Sequence, residues 1–216
     1  MVRPPSRHSD EGAPCSRILS RQSDMDVRHR LTRAVWPLAV LSIAAATSGC
    51  APDDPARDTI AAPIRTNFPA ATAGGACTLF DYGKIEKAIG TRFDVAAASQ
   101  NGQTTTCVVQ AEAAELPDLA LTISKTTADA DIFESDITPE KGATAVKGLG
   151  LAAYQAPVAP AKGSGAGLEI CWLTKDKRLM SLRYTVAPDS PAPPKSMTAK
   201  LVTLAKQVEA TKPKQP

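Results

Sequence analysis

The chain has 216 residues, 43% of them hydrophobic and 4% aromatic, with a formal net charge of +3. That length suits one domain of common size plus appendages, and the scarcity of aromatics means that Leu, Ile, Val and Ala must fill the core. So small a charge gives no argument for nucleic acid or anionic lipid, which need clustered basic residues, and the only histidines are His8 and His29.

Residues 1–24 are mixed in charge, rich in proline and serine, and fit no export signal. Translation is expected to begin at Met25, which leaves residues 1–24 as an extension outside the translated protein. Residues 25–49 then read as a signal peptide. A basic segment, Arg28 to Arg33, precedes the apolar run Ala34 to Ala46, and small residues follow. The run, with Pro37 inside it, falls short of the about 20 residues that cross a bilayer.

Thr47-Ser48-Gly49-Cys50 closes the signal and resembles a bacterial lipobox, with Thr47 in place of the usual leucine. The resemblance implies cleavage before Cys50 and lipidation of its thiol. Two or more acyl chains hold a protein on a membrane stably, where one does so only marginally. The expected location is therefore the extracytoplasmic face of the cell membrane.

Processing changes the composition. Seven arginines and four acidic residues precede Cys50, leaving 18 of the 25 basic and 18 of the 22 acidic residues. The mature chain is neutral and has no histidine, which excludes Ser-His-Asp and Cys-His catalysis. Residues 50–75 carry prolines 52, 55, 63 and 69 and little apolar periodicity. They read as a tether of about 25 to 30 Å root-mean-square span.

The globular domain is expected at 76–210, with a disordered tail at 211–216. Leu79 and Phe80 lead into a short helix, Asp81 to Gly90, with Asp81 as N-cap, Ile85 and Ile89 on one face, and Gly90 past the end. Thr91 to Ala98 and Thr104 to Ala111 flank Asn101-Gly102, a hairpin signal in which both residues tolerate positive φ. Leu119, Leu121 and Ile123 alternate in a third strand after Pro117. Ala128 to Asp136 reads as a helix with Ile132 and Phe133 facing inward.

Val146 to Tyr154, with Gly148 and Gly150, is a turn into another strand; it lacks the spacing of a phosphate loop. Ala156 to Gly167 is a loop. Leu168 to Thr174 and Leu179 to Val186 form a second hairpin, with Leu168, Ile170 and Trp172 on one face and Leu182 and Tyr184 on the partner. Pro188 to Pro194 ends the sheet. A last helix, Lys195 to Val208, places Met197, Leu201, Leu204 and Val208 on one stripe and leaves Lys200 and Lys206 in water.

The fold class is α+β: an antiparallel sheet flanked by a short N-terminal helix and a C-terminal helix. Ala76 to Phe80, the helix end Ala88-Ile89-Gly90, Cys107 and the Val146 to Tyr154 turn together resemble the small uncharacterised lipoproteins of actinobacteria. Leu151 stands where that family has aspartate, and the tryptophan of its Cys-x-Trp strand is missing after Cys107. The resemblance implies a PsbP/Mog1-like sheet, brings no catalytic residues, and points to a disulfide between Cys77 and Cys107.

Cys171 is then the odd cysteine, a candidate free thiol. It reads either as a buried or half-buried strand residue or as a reactive thiol in an electropositive setting, and the buried residue is preferred. Asp129, Asp131, Glu134, Asp136 and Glu140 lack the spacing of a calcium loop and read as a solvated face. Trp172 and Tyr184 read as core. No cofactor, metal or catalytic residue is expected.

Three functions remain open. The favoured one is a non-catalytic envelope module that binds an unknown envelope protein or polymer, anchored to the membrane at Cys50, with no nucleic-acid partner. The others are a carrier of an apolar ligand such as a lipid, and an enzyme using carboxylates or Cys171.

Overall fold

A computed structural model describes residues 68–211. The expectations for the signal, for Cys50 and for residues 1–24 lie outside that range.

Seven antiparallel strands form one sheet in the order β1-β2-β3-β7-β6-β5-β4. The strands are β1 Val95–Asn101, β2 Thr104–Ala111, β3 Ala114–Lys125, β4 Thr144–Ala145, β5 Ala152–Val158, β6 Gly167–Leu173 and β7 Arg178–Thr185. Two helices cover one face, α1 (Tyr82–Ile89) and α3 (Lys195–Ala210). The expected α+β class therefore holds.

Helix α1 forms as the sequence predicts. Asp81 Oδ1 accepts from Lys84 N at 2.9 Å, Ile85 and Ile89 are buried, and Gly90 closes the helix in the left-handed conformation. Helix α3 buries all four predicted positions and Ala205 besides. Their apolar faces meet Cys107, Val109, Leu119, Leu121, Ile170, Trp172, Met180 and Leu182 on the sheet. Trp172 and Tyr184 are part of this core.

The first hairpin turns one residue later than predicted. Asn101 pairs with Thr104, so Gly102-Gln103 is the two-residue loop, and only Gly102 takes positive φ (+56°). This is the pattern of a II′ turn, which needs glycine only at its first central position. The irregular entry to β1 is held instead by Asp94, whose Oδ1 accepts from Glu112 N at 2.6 Å.

Strand β3 starts before Pro117, with a cis Leu116-Pro117 bond inside it. Packed structure also begins earlier than expected. Ala70–Ala73 and Gly75–Leu79 form 3-10 turns within and just after the stretch read as tether, and Ala70 is buried.

The second face of the sheet carries a smaller apolar cluster that sequence reasoning missed. Ala128, Phe133 and Ile137 pack on Tyr154, Cys171, Leu173 and Leu179, with the Phe133 and Tyr154 ring centroids 5.8 Å apart. The predicted helix here is a single turn, α2 (Ala130–Ile132), that widens into a π turn over Phe133–Ile137. Thr138 N reaches back five residues to Phe133 O at 2.9 Å. This wider turn brings Ile137 (4% exposed) inward beside Phe133 and leaves Ile132 at 43%, against the expectation that Ile132 faces inward.

Strand β4 was not foreseen, since two residues carry no periodicity. Strand β5 runs on into the expected loop as far as Val158. Pro157 is tolerated there because β4 pairs only with Tyr154 and Gln155, leaving β5 an edge beyond them.

Candidate functional site

Two surfaces gather polar side chains. The first is a groove of about 770 Å³ between α1 and α3. With Ile85 and Ile89 turned to the sheet, α1 presents Lys84, Lys87 and Ala88 outward. The stripe of α3 likewise sends Ala199, Lys200, Thr203 and Gln207 outward. Alanines at 88 and 199 leave room between the helices, and lysines stand on both walls.

Among the described residues no carboxylate lines this groove. Lys200 Nζ donates to Ile89 O at 3.4 Å, at the carbonyl end of α1, where a cation is favoured. The side chains of Lys84 and Lys87 form no ion pair among the described residues. Three lysines, Lys84, Lys87 and Lys200, therefore line one groove. Lys200 and Lys206 of α3 are exposed as predicted, but the part that Lys200 plays with the lysines of α1 was not legible in either helix alone.

The second surface is a cleft of about 360 Å³ on the opposite face, where β3 pairs with β7. Asp118 stands opposite Thr185, and Arg183 is one step along. Gln110, Glu115 and Ser164 complete its polar lining. Burial raises the Asp118 carboxyl above its usual range; the Thr185 hydroxyl and the Arg183 guanidinium oppose that shift without cancelling it. Oδ1 of Asp118 and Nε of Arg183 are enclosed with no hydrogen-bond partner among the described residues.

A raised carboxyl favours the folded state below its unfolded pKa of about 3.9, and that contribution is lost as pH rises through the folded value. Replacing Asp118 with Asn is therefore expected to raise the unfolding midpoint at pH 7. At this half-exposed site the gain stays under about 1 kcal/mol after solvent screening. Thermal melts at pH 7 and pH 3 check it: the gain should shrink toward zero at the lower pH.

On the second surface the Thr185 hydroxyl is hydrogen-bonded to the Asp118 carboxylate. The acidic residues after Ala128 do not converge: Asp129 Oδ1 caps α2 by accepting from Ile132 N at 2.9 Å, and Asp136 Oδ1 accepts from Ser135 Oγ at 2.8 Å. Among the described residues no three His, Cys, Asp or Glu side chains are placed to hold a metal ion.

The cysteines sort by face. Cys77 and Cys107 stand at disulfide distance, with Cα atoms 4.9 Å apart, and join the N-terminal 3-10 turn to β2. Cys171 is fully buried and points away from α3 into the second cluster, not toward solvent or the last helix. Its sulfur is not free. Of the two readings of Cys171, the preferred one, a buried strand residue, matches its place in β6. No known protein family matches the chain, and no curated protein matches it.

Proposed function

We propose that the chain is a membrane-anchored envelope lipoprotein whose domain is a non-catalytic binding module, taking an anionic envelope partner in the groove between α1 and α3. The observation that carries this reading is the meeting of Lys84, Lys87 and Lys200 around an open groove with no carboxylate in its lining among the described residues. Point charges of this kind attract an anionic polymer or an acidic segment without demanding one fixed geometry.

Supporting the anchor are the basic, apolar and small-residue order before Cys50 and the proline-rich stretch after it. The order of helix, antiparallel sheet and helix is compatible with a PsbP/Mog1-like fold and with the lipoprotein family that the motifs resemble. A carrier of an apolar ligand draws no comparable support. The apolar side chains on both faces of the sheet pack against covering elements, and the groove is open and bordered by lysines.

One experiment in cells tests both parts of the proposal. Cys50→Ala protein should move from the membrane to the soluble fraction. Lys84→Glu/Lys87→Glu protein should stay in the membrane but bind short-chain polyphosphate at least about tenfold more weakly than the unaltered protein, whose own binding should weaken as salt rises. Equal polyphosphate binding by the two proteins would remove the groove from the proposal, and membrane retention of Cys50→Ala would remove the anchor.

A further inference from the structure

Strand β1 is one edge of the sheet and β4, of two residues, is the other. Natural edges are blunted by lysine, proline, bulges or shortness. The seven residues Val95-Ala96-Ala97-Ala98-Ser99-Gln100-Asn101 include no charge and no proline, and all but Ala96 are exposed.

The hairpin fixes which backbone groups face outward. Asn101 and Thr104 flank a two-residue loop and exchange both hydrogen bonds; by alternation Val95, Ala97 and Ser99 also bond to β2. The N–H and C=O groups of Ala96, Ala98 and Gln100 therefore point away from the sheet. No hydrogen bond among the described residues uses them. The 3-10 turns before α1 lie on the helix-side face, with Gly75 beside Ala98, and leave residues 97–101 exposed.

We infer that β1 pairs with β1 of a second copy, antiparallel about a two-fold axis through Ala98, to make one continuous sheet. This register uses the whole edge. Ala98 faces Ala98 of the copy, Ala97 faces Ser99, Ala96 faces Gln100 and Val95 faces Asn101. No charge is set against another, and side chains of one or two heavy atoms fill the middle. The exposed apolar surface of Val95, 41% accessible, lies within the joint.

A copy fits this edge better than an unrelated extended peptide does. Peptide-binding edges draw specificity from pockets for alternate side chains, and the alanines of β1 form none. One strand pair buries less than the roughly 1,200 Å² of a standard stable interface, so the dimer is weak and forms at high local concentration.

Across the joint Ala97 and Ser99 form a non-hydrogen-bonded pair, whose Cα atoms stand about 4.5 Å apart, within disulfide reach. Full-length Ala97→Cys and Ser99→Cys proteins, mixed under mild oxidation, are expected to yield a crosslinked dimer at least about fivefold more than either variant alone. Adding Ala98→Pro to both should abolish it, because the ring removes an outward N–H without costing a bond to β2. An unchanged thermal midpoint would show that these chains still fold, and a Val95→Thr pair at the strand end serves as a second folded control that should crosslink normally. No excess in the mixture, equal yield from a single variant, or a monomer that instead captures an added strand peptide would each overturn the inference.

Discussion

Replacing Cys77 and Cys107 together with alanine is expected to cost about 3 to 4 kcal/mol. The bridge spans a separation of 30 residues, and the chain-entropy cost of closing such a loop in the unfolded state is about 3.5 kcal/mol. Both sulfurs are wholly buried, so alanine also leaves space among Leu119, Leu121 and Ala76 that the neighbours only partly fill. For a domain of this size the thermal midpoint should fall by roughly 10 °C. Urea melts with and without reductant check the origin of the effect. The unaltered protein should lose nearly the same stability on reduction, while the double variant should respond far less to the reductant. A reductant-insensitive wild-type melt would remove the bridge from the account.

Gly150→Ala is expected to cost about 3 kcal/mol or more. Gly150 sits at φ +60°, and an added Cβ would run into the carbonyl of Leu173, the last residue of β6. The left-handed backbone alone costs a residue with a side chain about 1 to 2 kcal/mol. The collision is with backbone, which cannot rotate aside, and the same carbonyl accepts from Leu151 N at 2.7 Å. Movement there would also disturb Gly150 N, which donates to Glu209 Oε2 of α3 at 3.0 Å. Gly148 supplies the comparison. Its φ is +70°, but a Cβ there would approach only the flexible Lys206 ammonium, so Gly148→Ala should cost about 1 to 2 kcal/mol. Urea midpoints for the two variants measure the difference, and equal losses would contradict the role given to Leu173.

Much of this fold can be read along the chain because its signals are local. The i, i+4 spacing of Ile85 and Ile89 and the stripe from Met197 to Val208 each mark a helix and its buried face. Alternation in Leu168, Ile170 and Trp172 marks a strand, and the short turn after it marks its partner. What stayed hidden depends on elements far apart in sequence. Pairing of β3 with β7 joins the first three strands to the last four, and nothing in either strand names the other.

The candidate surfaces share that origin. Asp118 and Arg183 meet only because β3 lies beside β7, and Lys84 and Lys87 meet Lys200 only because α1 lies beside α3. Each lysine taken singly is an ordinary solvated residue. What covers Cys171 was hidden for a related reason: alternation shows which residues share a face, but not that Phe133 and Ile137 cover the second face. The widening of one helical turn over Phe133–Ile137 has no period long enough to be seen.

The position of α3 after all seven strands also sets the order in which the domain can close. Leu201, Leu204 and Val208 cover core positions offered by strands completed at Thr185, and Glu209 fastens the turn at Gly150. Until those last residues have left the ribosome, the helix-side face of the sheet lacks half of its roof. A chain without this sixteen-residue helix thus has that face open, and the helix acts as the latch that closes it.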